Sequence, residues 1–502
     1  MSTTYAPSGV QVKVYPYEDF QGIDASRDKS ALDTGQKQHL IAINNGYADW
    51  RGSIVRDPGA TQRTAGDKVI THVQFFGRDL ACWSQKDGGG TTLTSERDHS
   101  ALEVYPRSAV VTSCVFNNKV VFASRDYEMY EYDGFSFAKN KANSKPRPAY
   151  ISSIQRRLAV AGAPGRRTVI DFSRVDDPTI FPDDEDPDST SVTKAADIDV
   201  ANIIGTSDEI KGLGVFENNR LVVFTNDQAL MYILHPDFTQ WEIDDKSNIR
   251  VGTISHNTVC QAGSDLLFCA RDGVHSIRRS DTNGVTIFAV PMSNKIDLIY
   301  RALAQSVEDP ETISAYFDQD EGQYNIFFPT SDYLCTRLTI TLNPMAGGES
   351  KWSTGDFLNA RCGRVLGGIT LLGTPGGIWE RKQVEDVTEF SPELVVDTPI
   401  LWQGALNDIK ESYSFVLQAT GQGELQVEAF DERGRYLSSM QFLIEEGGAD
   451  GKFPDVPLNR QFERKFEHRY RGVQFRFTTR GKGLLKIIGF AVMVRGGGGG
   501  GE

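Results

Sequence analysis

Between residues 75 and 382 the apolar residues fall into a repeating pattern of turn, buried strand, polar turn and second strand. The clearest copies read Asn118-Lys119-Val120-Val121-Phe122-Ala123-Ser124-Arg125-Asp126, Asn219-Arg220-Leu221-Val222-Val223-Phe224-Thr225-Asn226-Asp227 and Asp265-Leu266-Leu267-Phe268-Cys269-Ala270-Arg271-Asp272-Gly273. Looser copies start at Leu80, Leu158, Tyr324 and Thr370. With Val120, Leu221 and Leu266 as the matching marks, successive units stand 40, 38, 63, 45, 58 and 46 residues apart, near the ~40–50 residues of a propeller blade. One hairpin cannot bury its apolar face alone, so such sheets stack in a ring. The pattern predicts an all-β chain with a β-propeller over residues 67–384. Seven marks suggest about seven blades, and the irregular gaps also fit six or eight.

Outside this span the pattern changes. Residues 1–66 lack the blade pattern and read as an arm or partial strand layer, with His39-Leu40-Ile41-Ala42-Ile43 and the turn Arg56-Asp57-Pro58-Gly59. The widest gap contains a Pro-punctuated acidic insertion from Arg174 to Asp188. Beyond Arg381, alternation in Leu425–Ala429 and Val473–Phe477 puts apolar side chains on one face. With Tyr413–Leu417, Tyr436–Ile444 and Leu484–Val494 this predicts a C-terminal β-sandwich platform over 385–495, followed by a flexible glycine tail over 496–502.

Charge and motifs narrow the chemistry. The 502 residues carry 53 Lys and Arg against 67 Asp and Glu, a net charge of −14, so the surface as a whole repels nucleic acid at long range. No basic start followed by an apolar run marks a signal peptide, and no run approaches the ~18 residues of a membrane helix. Cytoplasmic synthesis is the expectation. Cys82, Cys114, Cys260, Cys269, Cys335 and Cys362 stand far apart, mostly in apolar strand patterns, and are expected as buried thiols rather than metal ligands. Asp183, Asp184, Asp186 and Asp188 could offer oxygen ligands to Ca²⁺, but the prolines and irregular spacing favour a solvated loop. Asp318-Gln319-Asp320-Glu321-Gly322 begins like a calcium loop and lacks its bidentate Glu, so a hairpin turn is expected there.

Ser280-Asp281-Thr282-Asn283-Gly284-Val285-Thr286-Ile287 is an imperfect match to the Asp-box of sialidases. The motifs GxSxG, GxxxxGK[ST] and HExxH do not occur, and the seven histidines have no recurrent spacing. No catalytic residue, cofactor or metal site is expected. Between Arg460 and Lys482 the sign of the charge inverts: Arg460, Arg464, Lys465, Arg469, Arg471, Arg476, Arg480 and Lys482 face only Glu463 and Glu467. Phe462, Phe466 and Phe475 in this stretch read as core positions rather than a base-stacking series. Arg464, Lys465, Arg469 and Arg471 are therefore subunit-interface candidates, facing acidic patches on a neighbouring copy.

Four segments in order carry a resemblance. They are the turn Asp57-Pro58-Gly59-Ala60-Thr61, the loop Ile170-Asp171-Phe172-Ser173-Arg174-Val175-Asp176-Asp177-Pro178, the blade from Ile210 to Tyr232, and the stretch from Asp397-Thr398-Pro399-Ile400-Leu401 to Arg469-Tyr470-Arg471-Gly472-Val473 and Leu484–Phe490. This layout resembles the tail hub, or nozzle, proteins of short-tailed bacteriophages, also described as packaged-DNA stabilisation or tail tubular B-like proteins. The resemblance implies a non-enzymatic structural protein of the virion tail. It implies a homohexameric ring below the portal and adaptor, contacts to tail fibre or tailspike and tail-tip proteins, and phage DNA passing non-specifically through the lumen without membrane insertion. Weak binding suits a conduit, because every neutralised phosphate adds affinity and friction. Two other classes stay open: a glycan-active propeller, such as a depolymerase or sialidase, and a host-surface binding module.

Overall fold

The computed structural model describes residues 12–32, 38–77, 80–87, 89–97, 102–105, 109–205, 207–244, 248–279, 287–342, 350–381, 391–406, 408–444, 460–481 and 483–495. Residues 280–286 of the Asp-box match, and the glycine tail 496–502, lie outside them. The chain forms two compact units, one of Gln62–Arg337 and Leu358–Glu380, the other of Met1–Thr61, Leu338–Phe357 and Arg381–Glu502.

The first unit is a seven-bladed β-propeller. Five four-stranded antiparallel sheets run from Ile70–Phe76 to Leu102–Tyr105, Val111–Phe116 to Phe137–Lys139, Tyr150–Ile154 to Ala196–Asp199, Ile210–Phe216 to Glu242–Ile243, and Cys260–Ala262 to Ile287–Pro291. The sixth begins with Ser314–Asp318, Gln323–Pro329 and Cys335–Thr341, and the boundary between the units falls inside this last strand. The seventh joins Cys362–Leu366, Ile369–Thr374 and Gly377–Arg381 to Ala60–Ala65, a strand from the other end of the chain. First strands of successive sheets touch in order, and that of the seventh touches that of the first, so the ring closes. All seven sequence marks lie on second strands.

The Asn pair before the Val120 unit has a conformational cause. Asn117 and Asn118 form a two-residue hairpin turn with φ of 46° and 57°, the left-handed pair that a type I′ turn demands and Asn tolerates. Core packing lies between blades. Phe224 of the fourth packs tilted against Phe268 of the fifth, ring centres 4.8 Å apart, and Ile70, Val73, Phe75 and Trp83 of the first pack with Cys362, Leu371 and Ile378 of the seventh. The 63-residue gap is the acidic insertion, placed between the third and fourth strands of blade three. A helix, Asp297–Ser306, fills the 58-residue gap, anchored by the Tyr300 hydroxyl donating to Ala270 O at 2.6 Å.

The second unit corrects the expected boundaries, since residues 1–66 are not a separate arm and the sandwich is not confined to 385–495. One sheet has the order Arg460–Lys465, Lys410–Gly421, Leu485–Arg495, Ile54–Arg56, Gly46–Ala48, with Val12–Tyr17 also paired to Leu485–Arg495. The other contains Lys351–Gly355, Ala42–Asn44, Val395–Asp397, Val473–Arg480, Gly423–Asp431 and Tyr436–Ile444. The N-terminal strands are needed because the C-terminal strands alone leave hydrogen-bonding edges and apolar faces open. Arg56, 2% exposed, ties the segments together by donating to the carbonyls of Pro392, Gly481 and Gly483 at 2.6, 2.9 and 3.1 Å. Phe415 packs on Phe442, Phe475, Phe477 and Phe490 within 6.3 Å.

Closure of the propeller can be tested at Gly377, which has φ +117° and a backbone so close to the entering strand that a Cβ would meet Thr64 O at 2.1 Å. Gly377→Ala is expected to destabilise by about 2–4 kcal/mol in urea unfolding. Gly367→Ala, at φ +59° with open space around it, should cost about 1 kcal/mol.

Candidate functional site

The seven innermost strands surround a bore whose two ends differ. At the end where these strands begin, short turns before blades five and six fill the space. Asn257 in the turn His256–Thr258 donates to Val111 O of blade two at 3.1 Å. His256 Nδ1 accepts from Leu213 N of blade four at 3.1 Å, and its ring also bonds the Ile151 backbone of blade three. An accepting Nδ1 places the proton on Nε2. Gly212 permits this approach, since a Cβ there would lie 3.3 Å from His256 Cα.

Glu311, in the turn Pro310–Thr312, completes the closure. Its Oε1 accepts from Arg125 Nη2 at 2.9 Å, Lys211 Nζ at 3.0 Å and Tyr150 OH at 3.3 Å, joining blades two, three and four. Lys211 also pairs with Glu209 at 2.7 Å. Burial alone would lower the Lys211 amine, but its hydrogen bonds to Glu209 and Glu311 outweigh that and raise its pKa. A carboxylate taking three donors is a structural node rather than a general base.

Val115 and Leu366, on the innermost strands of blades two and seven, are 50% and 41% exposed. Between the ends stand His72, Ser113 and Arg364, with His72 Nε2 2.7 Å from Ser113 Oγ. Burial, reinforced by the Arg364 charge, depresses the His72 imidazole to about 3, and burial depresses His256 to about 4. Burial also pushes the thiols of Cys114 and Cys260 up to about 12 against the pull of Arg364, so neither is a nucleophile at neutral pH.

The four basic candidates lie in the second unit, all exposed. Strand alternation separates them: Arg464 lies over the Phe442 ring at 5.4 Å and bonds Gln441 O, whereas Lys465 points to the opposite face beside Glu467 at 2.9 Å. Arg469 stands 3.6 Å from Glu411, and Arg471 follows in the adjoining turn. They therefore straddle a sheet edge instead of forming one flat patch. Phe466 and Phe475 are buried, as their core pattern suggested, and Phe462 is half-buried.

In the acidic insertion, Arg174 pairs with Glu185 at 2.6 Å, Asp184 accepts from Ser144 N and Oγ, and Asp183 approaches Arg166 at 3.6 Å. Asp318 is the hairpin turn expected, accepting from the amides of Asp320 and Glu321. Among the described residues no group of three or more His, Cys, Asp and Glu is arranged to hold a metal ion, and no helix is long and apolar enough to cross a membrane. Neither Glu311 nor Arg364 belongs to a sequence motif. Arg364 was accessible through register, because it occupies the same third position of a first strand as His72 and Ser113. Glu311 sits in a connection outside the repeat and gave no such signal.

No protein-family model matches the chain, and no curated protein matches it in sequence. Solved propellers are similar in fold. BamB from Moraxella catarrhalis is 12% identical over 69% of this chain and 98% of its own, with a TM-score of 0.35. A catalytically inactive virginiamycin B lyase from Staphylococcus aureus is 9% identical over 64% and 97%, with a TM-score of 0.39. The propeller domain of the Trilobed protease from Pyrococcus furiosus is 11% identical over 68% and 97%, with a TM-score of 0.34.

Two outcomes follow from the bore. Unfolded histidines take up a proton near pH 6.5, whereas His72 and His256 resist it until about 3 and about 4. The unfolded chain therefore binds more protons between these values, and stability falls as pH drops from 6.5 toward 4. Asp171, raised to about 6 mainly by burial, works in the opposite direction. Comparing urea midpoints at pH 7.5 and 5 for wild type and His72→Gln isolates the histidine contribution, and the variant should show the smaller acid loss. Glu311→Ala, which removes the acceptor shared by Arg125, Lys211 and Tyr150, should cost about 2 kcal/mol of stability at pH 7, read by the same unfolding.

Proposed function

We propose that this chain is a structural subunit of the distal tail tube, or nozzle, of a short-tailed bacteriophage, assembled as a homo-oligomeric ring, a hexamer by resemblance. The ring retains packaged DNA and conducts it during ejection. The observation that carries this reading is the exposed basic edge of the sandwich unit in a chain of net charge −14. Such an edge suits attraction between copies. In a closed ring the contact is heterologous, with Arg464, Lys465, Arg469 and Arg471 of one copy meeting carboxylates of the next. Because Asn257, His256 and Glu311 close one end of the bore, this reading takes the DNA between copies and not along one propeller's bore. The acidic balance limits adhesion to the passing phosphates. Portal and adaptor proteins, and tail fibre or tailspike and tail-tip proteins, are the partners this role requires.

Each exposed ion pair contributes roughly 0–1 kcal/mol, so a single substitution should leave assembly intact. Changing Arg464, Lys465, Arg469 and Arg471 together to Glu should abolish ring formation while leaving the thermal unfolding of the monomer unchanged, measured by native mass and electron microscopy of particles. Normal assembly of that variant would remove the interface assignment. Absence of the wild-type chain from purified virions, or turnover of bacterial polysaccharide by it, would overturn the structural role itself.

A further inference from the structure

The outer face of the first sandwich sheet carries a groove of about 400 Å³ that crosses four strands. Register lines up Pro16 of Val12–Tyr17, Ala491 of Leu485–Arg495, Val416 of Lys410–Gly421 and Glu463 of Arg460–Lys465 in one row. Gly489, Gln418 and Gln461 form the next row. Glu18, directly after the first of these strands, lies against Gly489, where a Cβ would come 2.8 Å from Glu18 Cγ. Glu18 and Glu463 therefore line opposite sides of the groove, with three strand spacings, roughly 14 Å, between their backbones. Both are exposed, and among the described residues neither carboxylate makes an ion pair or a hydrogen bond. Among those residues no Lys or Arg lines the groove. Lys465, one row farther on and opposite Ser414, is held by Glu467 at 2.9 Å.

We propose that this groove binds a linear polyamine, an aliphatic chain with an ammonium group at each end. Glu18 and Glu463 take the terminal ammonium groups, and the methylene chain lies over Pro16, Ala491 and Val416. Charge selects the sign of the ligand, since two unpaired carboxylates repel an anion and attract a cation. Their separation selects its shape. Metal–oxygen bonds span only about 2.0–2.6 Å, so a single metal ion cannot join both sides, whereas an extended diammonium chain can. Methylene groups gain from an apolar floor that a hydrated ion cannot use. The side-chain amides of Gln418 and Gln461 line the same groove and offer oxygens to ammonium N–H groups along the chain. A cavity of this volume is within the range of small-molecule sites. The inference concerns one face of a single copy and depends neither on ring assembly nor on a role in the virion.

The test titrates the full chain with spermidine at pH 7 and about 0.15 M salt, where long-range attraction to an acidic surface is screened. Calorimetry and ligand-observed NMR follow the binding, with Mg²⁺, butylamine and trilysine as comparisons. Spermidine should bind saturably at one site and more tightly than any of the three. Glu18→Gln and Glu463→Gln should each weaken it about two- to fivefold, the scale of one exposed ion pair, and together about tenfold or more. Ala491→Lys, which sets an ammonium group on the floor, should abolish binding. Glu242→Gln combined with Glu308→Gln removes two exposed carboxylates from the propeller unit and should leave the affinity unchanged. Thermal unfolding reports whether each variant is folded, and if Ala491→Lys is not, the glutamine variants decide the matter. Absence of saturable spermidine binding, Mg²⁺ or butylamine binding as tightly, an equal loss in the propeller-unit variant, or unchanged affinity in the Glu18 and Glu463 double variant would overturn the assignment. Tighter binding of trilysine would overturn it in favour of a basic protein partner.

Discussion

Seven sheets that bury their faces only against neighbours are stable only as a closed circle, and closure rests on pairing of Ala60–Ala65 with Gly377–Arg381. If that seam opened, the cluster between blades seven and one would be exposed, including Ile70, Val73, Phe75, Trp83, Leu371 and Ile378. At about 1.5–3 kcal/mol for each large apolar side chain, the loss is on the order of 10 kcal/mol. An ordinary domain has a total stability of about 5–15 kcal/mol. Arg63 strengthens the seam from the incoming strand, pairing with Glu96 of blade one and Glu380 of blade seven.

The bore shows how one ring of strands creates two electrostatic environments. At the closed end every cation meets an oxygen acceptor, and the charges are tolerated because Glu311, Glu209, Arg125 and Lys211 satisfy one another. Between the ends Arg364 is exposed, so water solvates its charge. His256 at the closed end and His72 between the ends are neutral hydrogen-bonding groups, linking different blades where a charged imidazole would be penalised.

The blades were legible because their hairpins repeat a local pattern, and each sequence mark sits on the same strand of its sheet. The fourth strand of blade seven was not legible. Ala60-Thr61-Gln62-Arg63-Thr64-Ala65 has little apolar content, and its place is set by a partner more than 300 residues away. The same holds for Arg56, whose three carbonyl partners lie on segments near 392 and 482. The exposed basic residues could be found by counting charge, but their division between two faces of an edge strand depends on pairing with Lys410–Gly421. The bore residues come from separate blades and become neighbours only when the ring closes.

The chain passes between its two units four times, and neither unit is a continuous stretch of sequence. A ribosome adding about 5–20 residues per second needs roughly 25–100 s for 502 residues. For most of that time Val12–Tyr17 has no Leu485–Arg495 to pair with, and Ala60–Ala65 has no blade to close. Unpaired strand edges invite association between nascent chains. Lys13 on the first of these strands, and Gln62 and Arg63 on the second, place polar and charged side chains where premature stacking would begin.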